Sequence, residues 1–105
     1  MSLRTKQSRF VVAVGKLIGE AERRGYHLTL GDGYRDPRAT FPYSSASSRH
    51  TMRLAIDLNL FKKVTNKWVY CTDTSDYTDL GLYWVGLGGI WGGAFDDGNH
   101  FEWPL

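Results

Sequence analysis

Cys71 is the only cysteine among 105 residues, so no disulfide can form within the chain, and any staple beyond the apolar core has to be a metal. No apolar run approaches the ~20 residues of a membrane span. The short run from Phe10 to Val14 is broken by Gly15 and Lys16 and lacks a small-residue cleavage pattern, so no signal peptide is visible. These absences predict a protein that is cytoplasmic at synthesis and does not insert into membranes. Charge of one sign is also scarce: 13 basic side chains face 11 acidic ones, and a net +2 is too small to point to nucleic acid. The excess sits at the N-terminus, where Arg4, Lys6, Arg9, Lys16, Arg23 and Arg24 outnumber Glu20 and Glu22. A solvated helix face is the simpler reading of that stretch, and capture of an anionic polymer the alternative. Internal repeats and low-complexity tracts are missing too.

What is present suits one compact domain over residues 1–105, with an apolar share of 42% and an aromatic share of 14% to build its core. From Ser2 to Arg24, Phe10, Val11, Val14, Leu17, Ile18 and Ala21 recur at helical steps, and Gly25 ends the helix. Tyr26 to Leu30 alternates as a strand with Tyr26, Leu28 and Leu30 on one side. A long polar loop runs from Gly31 to about Ser48, a length usual for loops that line functional sites. LAIDLNLF, Leu54 to Phe61, follows as a strand, and KKVTNK turns around Thr65 and Asn66 into KWVYC. Ser75 or Asp76 is placed to cap a short helix carrying Tyr77, Leu80, Tyr83, Trp84 and Leu87 inward. The glycine-rich tail closes with a strand from Asn99 to Trp103, His100 and Glu102 sharing one face. This order predicts an α+β fold, an N-terminal helix packed on a small, mostly antiparallel sheet.

Asp57 is the anomaly in that plan. Leu54, Ile56, Leu58 and Leu60 alternate around it on a strand built for burial, where an uncompensated carboxylate costs several kcal/mol or more, on the order of what full desolvation of a charge implies. A metal is the simplest compensation, since zinc accepts imidazole nitrogen and carboxylate oxygen together, and His50 stands seven residues upstream. A catalytic zinc takes a third protein ligand, for which His27 and His100 are the remaining histidines. Asp97, three residues before His100 across Gly98, has the spacing of a general base, with Asp96 its competitor.

Ser48, His50, Ala55 and Asp57 reproduce most of S-x-H-x-x-G-x-A-x-D, and Asp97 with His100 the later E/D-x-x-H. Together, from about Tyr26 to Trp103, these residues resemble the zinc peptidases that include D-alanyl-D-alanine carboxypeptidases and phage endolysins cutting L-alanyl-D-glutamate bonds in peptidoglycan. The resemblance implies a hedgehog-like fold, zinc bound by His50, Asp57 and His100, Asp97 as the catalytic carboxylate, and Arg35 in the active site near the substrate. The implied partner is the peptidoglycan stem peptide, met by a monomer after release from the cell.

The sequence leaves the family pattern at Arg53, where glycine is usual, and in lacking the glutamine that usually follows the loop arginine. Arg53 turned into the cleft would favour an anionic substrate; turned outward it would be solvated. Ser48 reads as a turn residue or as a hydrogen-bonding group beside the zinc, and Glu102 as a partner orienting a zinc-bound imidazole or as a solvated side chain. His27 reads as a strand histidine rather than a fourth ligand, and the four tryptophans as core or cleft wall. The functional expectation is an L-alanyl-D-glutamate endopeptidase of endolysin type. Its rivals are a D,D-carboxypeptidase on the same scaffold, a catalytically silent zinc-stabilised wall-binding domain, and a thiol peptidase using Cys71.

Overall fold

A computed structural model describes residues 1–38 and 48–105. Ser2 opens helix α1, Leu3–Arg23, by accepting the Thr5 N–H on its hydroxyl at 3.1 Å. At the other end Gly25, φ 79°, lets the Gly25 N–H reach the Glu22 carbonyl and the Tyr26 N–H reach Ala21, both at 2.9 Å. This paired closure needs a left-handed residue, which glycine adopts without a Cβ clash. The buried stripe is Phe10, Ala13, Leu17 and Ala21. Val11 and Ile18, expected inward, are 65% and 42% exposed. Each lies one residue, about 100° around the helix, past a buried neighbour, beyond the strip that the rest of the fold covers.

The sheet is antiparallel throughout: β1 (His27–Leu30), β2 (Ala55–Val64), β3 (Lys67–Tyr70), β4 (Ile90–Trp91) and β5 (His100–Glu102). Its order is β1-β2-β5-β4, with β3 also pairing β2. The long β2 is shared: Ala55–Asp57 pair with β5, Leu58–Phe61 with β1, and Phe61–Val64 with β3. Thr65 (φ 49°) and Asn66 (φ 64°) turn β2 into β3, both in the left-handed region that a tight two-residue hairpin requires. The two-residue β4 lies in the glycine-rich tail, where no strand was expected. Its hydrogen bonding to β5 gives it away, since its length leaves no periodicity to read.

Leu54, Leu58 and Leu60 are almost completely buried, as their alternation predicts, against Leu17, Leu80, Trp84 and Phe101. Trp84 meets Phe10, Phe101 and Trp103 edge to face, and its Nε1–H donates to the Glu102 carbonyl at 3.0 Å. Leu30 departs from expectation at 75% exposure, because it ends β1 at an uncovered edge. The second helix also starts differently. A 3₁₀ turn at Thr74–Tyr77, with Asp73 at its N-cap, runs directly into α2, Thr78–Gly86, so neither Ser75 nor Asp76 is the cap. No helix among the described residues is long and apolar enough to cross a membrane.

Candidate metal centre

A 3₁₀ turn at Arg49–Met52 carries His50. Ser48 caps it by accepting the His50 N–H on its hydroxyl at 3.2 Å, so Ser48 acts here through the backbone that presents the histidine. His50 is 3% exposed. Its Nδ1 lies 2.8 Å from the Gly33 carbonyl, which can only accept, so Nδ1 carries the proton and Nε2 keeps a lone pair. That Nε2 faces Asp57 Oδ1 at 3.3 Å.

The register sets His100 on β5 opposite Asp57 on β2, so the two side chains leave the sheet on one face. His100 Nδ1 lies 3.2 Å from the same Asp57 oxygen, while its Nε2 faces Glu102 Oε1 at 2.8 Å. Glu102 therefore orients the imidazole, and Arg49 Nε stands 3.7 Å from its other oxygen. His50, Asp57 and His100 each turn one ligand atom to a common point, all within 4.8 Å of one another. Both imidazoles have their rear nitrogen held by an acceptor, the usual arrangement behind zinc-bound histidines. Two nitrogens and a carboxylate oxygen, with a position left open, fit zinc. His27 is elsewhere, stacked on Trp68 at 3.5 Å between ring centroids.

The charges agree with that geometry. Without a metal, burial pushes Asp57 up, but hydrogen bonds with His100 and His50, which need each ring protonated on the nitrogen that faces Asp57 as well as on its rear one, outweigh it and hold its carboxyl at about 2. Burial disfavours the charged form of His100, yet hydrogen bonds to Asp57 and Glu102 win and raise it. Asp97 Oδ2 lies 4.0 Å from His100 Nδ1. Partial burial, helped by the Asp57 charge, raises Asp97 against the pull of the two histidines, which suits a group that takes and returns a proton. Asp96 is committed elsewhere, accepting the Thr74 hydroxyl at 2.7 Å.

Arg35 donates its backbone N–H to the His50 carbonyl at 3.1 Å, and its guanidinium, with only 11% of the side chain exposed, pairs with Asp32 at 3.2 Å. Arg53 ends the His50 turn at φ 58°, a left-handed position that explains why glycine is usual there. Its guanidinium lies 4.0 Å over the Tyr34 ring. Cys71 is buried, and burial raises its thiol, the opposite of what a thiolate nucleophile needs.

Four residues that the sequence reading passed over hold this cluster in place. A Cβ on Gly31 would come within 3.0 Å of Asp57 Cβ, and one on Gly92 within 2.3 Å of the Asp97 carbonyl and 2.9 Å of His100 Cβ. Gly33 supplies the carbonyl that fixes the His50 tautomer. Trp91 donates its Nε1–H to the Gly98 carbonyl at 2.7 Å, anchoring the turn between Asp97 and His100. The only signal for them was membership of a glycine-rich loop or tail. A cavity of about 630 Å³ between α1 and β1 is lined by none of the cluster, so a large cavity does not by itself identify the site.

A family described as D-alanyl-D-alanine carboxypeptidase matches residues 43–103, more than half of the chain. The chain belongs to this family. The match spans His50, Asp57, His100 and Asp97, so the family match and the cluster that could hold a metal fall on the same stretch of chain. Arg35 lies outside the matched residues. No curated protein matches the chain.

Proposed function

We propose that the protein is a zinc peptidase that cleaves the peptide stem of bacterial peptidoglycan, as an L-alanyl-D-glutamate endopeptidase. The carrying observation is the convergence of His50 Nε2, Asp57 Oδ1 and His100 Nδ1, with Asp97 beside His100. Zinc, when bound, supplies a Lewis acid for the scissile carbonyl and makes water acidic enough to attack near neutral pH. Asp97 takes the proton from the attacking water and returns it to the leaving amine. Glu102 and the Gly33 carbonyl keep the imidazoles in the tautomers that leave lone pairs facing inward. Arg35, braced by Asp32, offers a fixed cation to a substrate carboxylate or to a developing oxyanion. The protein acts on the wall after release from the cell that makes it.

The choice of bond rests on the resemblance to phage endolysins. The family description favours a second reading, release of a terminal D-alanine. Digestion of purified peptidoglycan with zinc-loaded protein, with and without chelator, separates them by mass spectrometry of the new ends. New N-terminal D-glutamate with free L-alanine ends is expected. Released D-alanine would favour the carboxypeptidase, and no chelator-sensitive product at all would overturn the peptidase reading.

A further inference from the structure

A groove of about 460 Å³, within the size range of small-ligand clefts, is lined by none of the metal cluster but includes Gly33, whose carbonyl faces His50 Nδ1, and Ala55 and Ile56, which precede Asp57 on β2. Its floor is apolar, formed by Phe10, Ala55 and Ile56, and its rim carries Arg4 and Arg53. Arg53 and Tyr34 reach it through the same backbone that holds His50. Tyr34 stands between Gly33, whose carbonyl faces His50 Nδ1, and Arg35, whose N–H donates to the His50 carbonyl. Arg53 closes the His50 turn in a left-handed conformation that its Cβ disfavours. Its guanidinium carbon lies 4.0 Å from the Tyr34 ring centroid, a cation–π contact that uses the face of the group and none of its N–H donors. Among the described residues neither Arg4 nor Arg53 forms an ion pair, and residues 39–47 contain no acidic side chain that would supply one.

Two exposed guanidiniums without carboxylates, above an apolar floor, match a ligand with a short aliphatic stem and an acidic end. We propose that the groove is an anion subsite in which Arg53, seconded by Arg4, takes a carboxylate of the stem peptide next to the scissile bond. The proposal rests on the reading of the chain as a stem-peptide peptidase, and it assigns Arg53 to substrate selection rather than to the chemical step.

The test compares stem-peptide substrates carrying a free D-glutamate α-carboxylate or its amide, using zinc-loaded wild type, Arg53→Gly and Arg53→Lys. Glycine accepts φ 58° freely, so Arg53→Gly folds without strain. Wild type is expected to prefer the free carboxylate by about tenfold in kcat/KM, the scale of one charge-assisted hydrogen bond. Arg53→Gly should lose that preference through KM, with kcat and zinc content unchanged, and Arg53→Lys should keep part of it. Calorimetry with L-alanyl-D-glutamate and its amide as probes gives a readout independent of turnover. Equal losses on both substrates, or a preference that survives Arg53→Gly, would overturn the subsite, as would Arg53-dependent binding of phosphate-bearing wall polymer alone. Arg53-dependent binding of the dipeptide without any hydrolysis would leave the subsite standing and remove the peptidase reading. Hydrolysis indifferent to the carboxylate would do the reverse.

Discussion

Strand β2 has two ends built from the same alternation and put to different uses. At Ala55–Leu58 its neighbours are β5 and the Gly31–Gly33 segment, and the one carboxylate there is answered by two histidines. At Phe61–Val64 its partner β3 is exposed along its whole length, and the pair ends in a two-residue turn. The difference teaches that a polar residue on a core strand marks a site when its partners are themselves fixed. Asp57 faces imidazoles whose rear nitrogens are tied to Gly33 and Glu102, whereas Lys62 and Lys63 at the other end lie over the rings of Tyr26 and Trp68. Changes at the site end should therefore alter chemistry and metal affinity, and changes at the hairpin end only stability.

Asp97→Ala should have the largest effect. It removes the proton carrier and leaves the ligands intact, so hydrolysis should fall roughly 10²- to 10⁴-fold while zinc content is unchanged, as assayed by turnover and metal analysis on one preparation. Next comes acid sensitivity of the metal-free protein. The folded carboxyl of Asp57, at about 2, lies below its ordinary value, so its stabilisation is present above about pH 4 and is lost as pH falls through 2. The expected loss is about 2 kcal/mol, read from denaturant midpoints between pH 5 and pH 2, and Asp57→Asn should flatten that part of the profile. His100 has the opposite sign. Its raised imidazole stabilises the metal-free fold below the ordinary histidine range and stops doing so as pH rises through the raised value.

Glu102→Gln should weaken zinc binding roughly tenfold to a hundredfold without abolishing it, because an amide still meets Nε2 but holds it less strongly than a carboxylate. Competition with a chromophoric chelator measures this. Asn66→Ala, at the hairpin end, should cost only about 1 kcal/mol, because alanine tolerates φ 64° less well than asparagine, whose short polar side chain bonds locally, and should leave zinc affinity unchanged. A zinc deficit in that variant would erase the distinction between the two ends of β2.

The cluster of His50, Asp57 and His100 was legible because histidine and aspartate are conspicuous in their settings: Asp57 on a buried strand, His50 and His100 at either side of it in sequence. The α+β architecture followed from periodicity in α1 and β2, and the hairpin from Thr65 and Asn66. Backbone contributions were not legible. Gly31, Gly33 and Gly92 act through close approach or a carbonyl, and neither leaves a pattern in side-chain chemistry. Trp91 read as wall, because only the fold brings its indole to Gly98. Val11 and Ile18 were misread because helical spacing marks a stripe without showing how wide a surface will cover it. The direction of Arg53 depended on a left-handed turn and on Tyr34, nineteen positions earlier in the numbering, neither of which spacing reveals.

The central claim is that His50, Asp57 and His100 form one zinc site. Zinc stoichiometry by chelator competition on wild type and Asp57→Asn tests it most directly, with circular dichroism confirming that both are folded. About one zinc per chain in wild type and none retained by Asp57→Asn is the predicted result, on the usual one-ion requirement of such three-ligand sites. A folded Asp57→Asn protein that keeps its full zinc content would contradict the account.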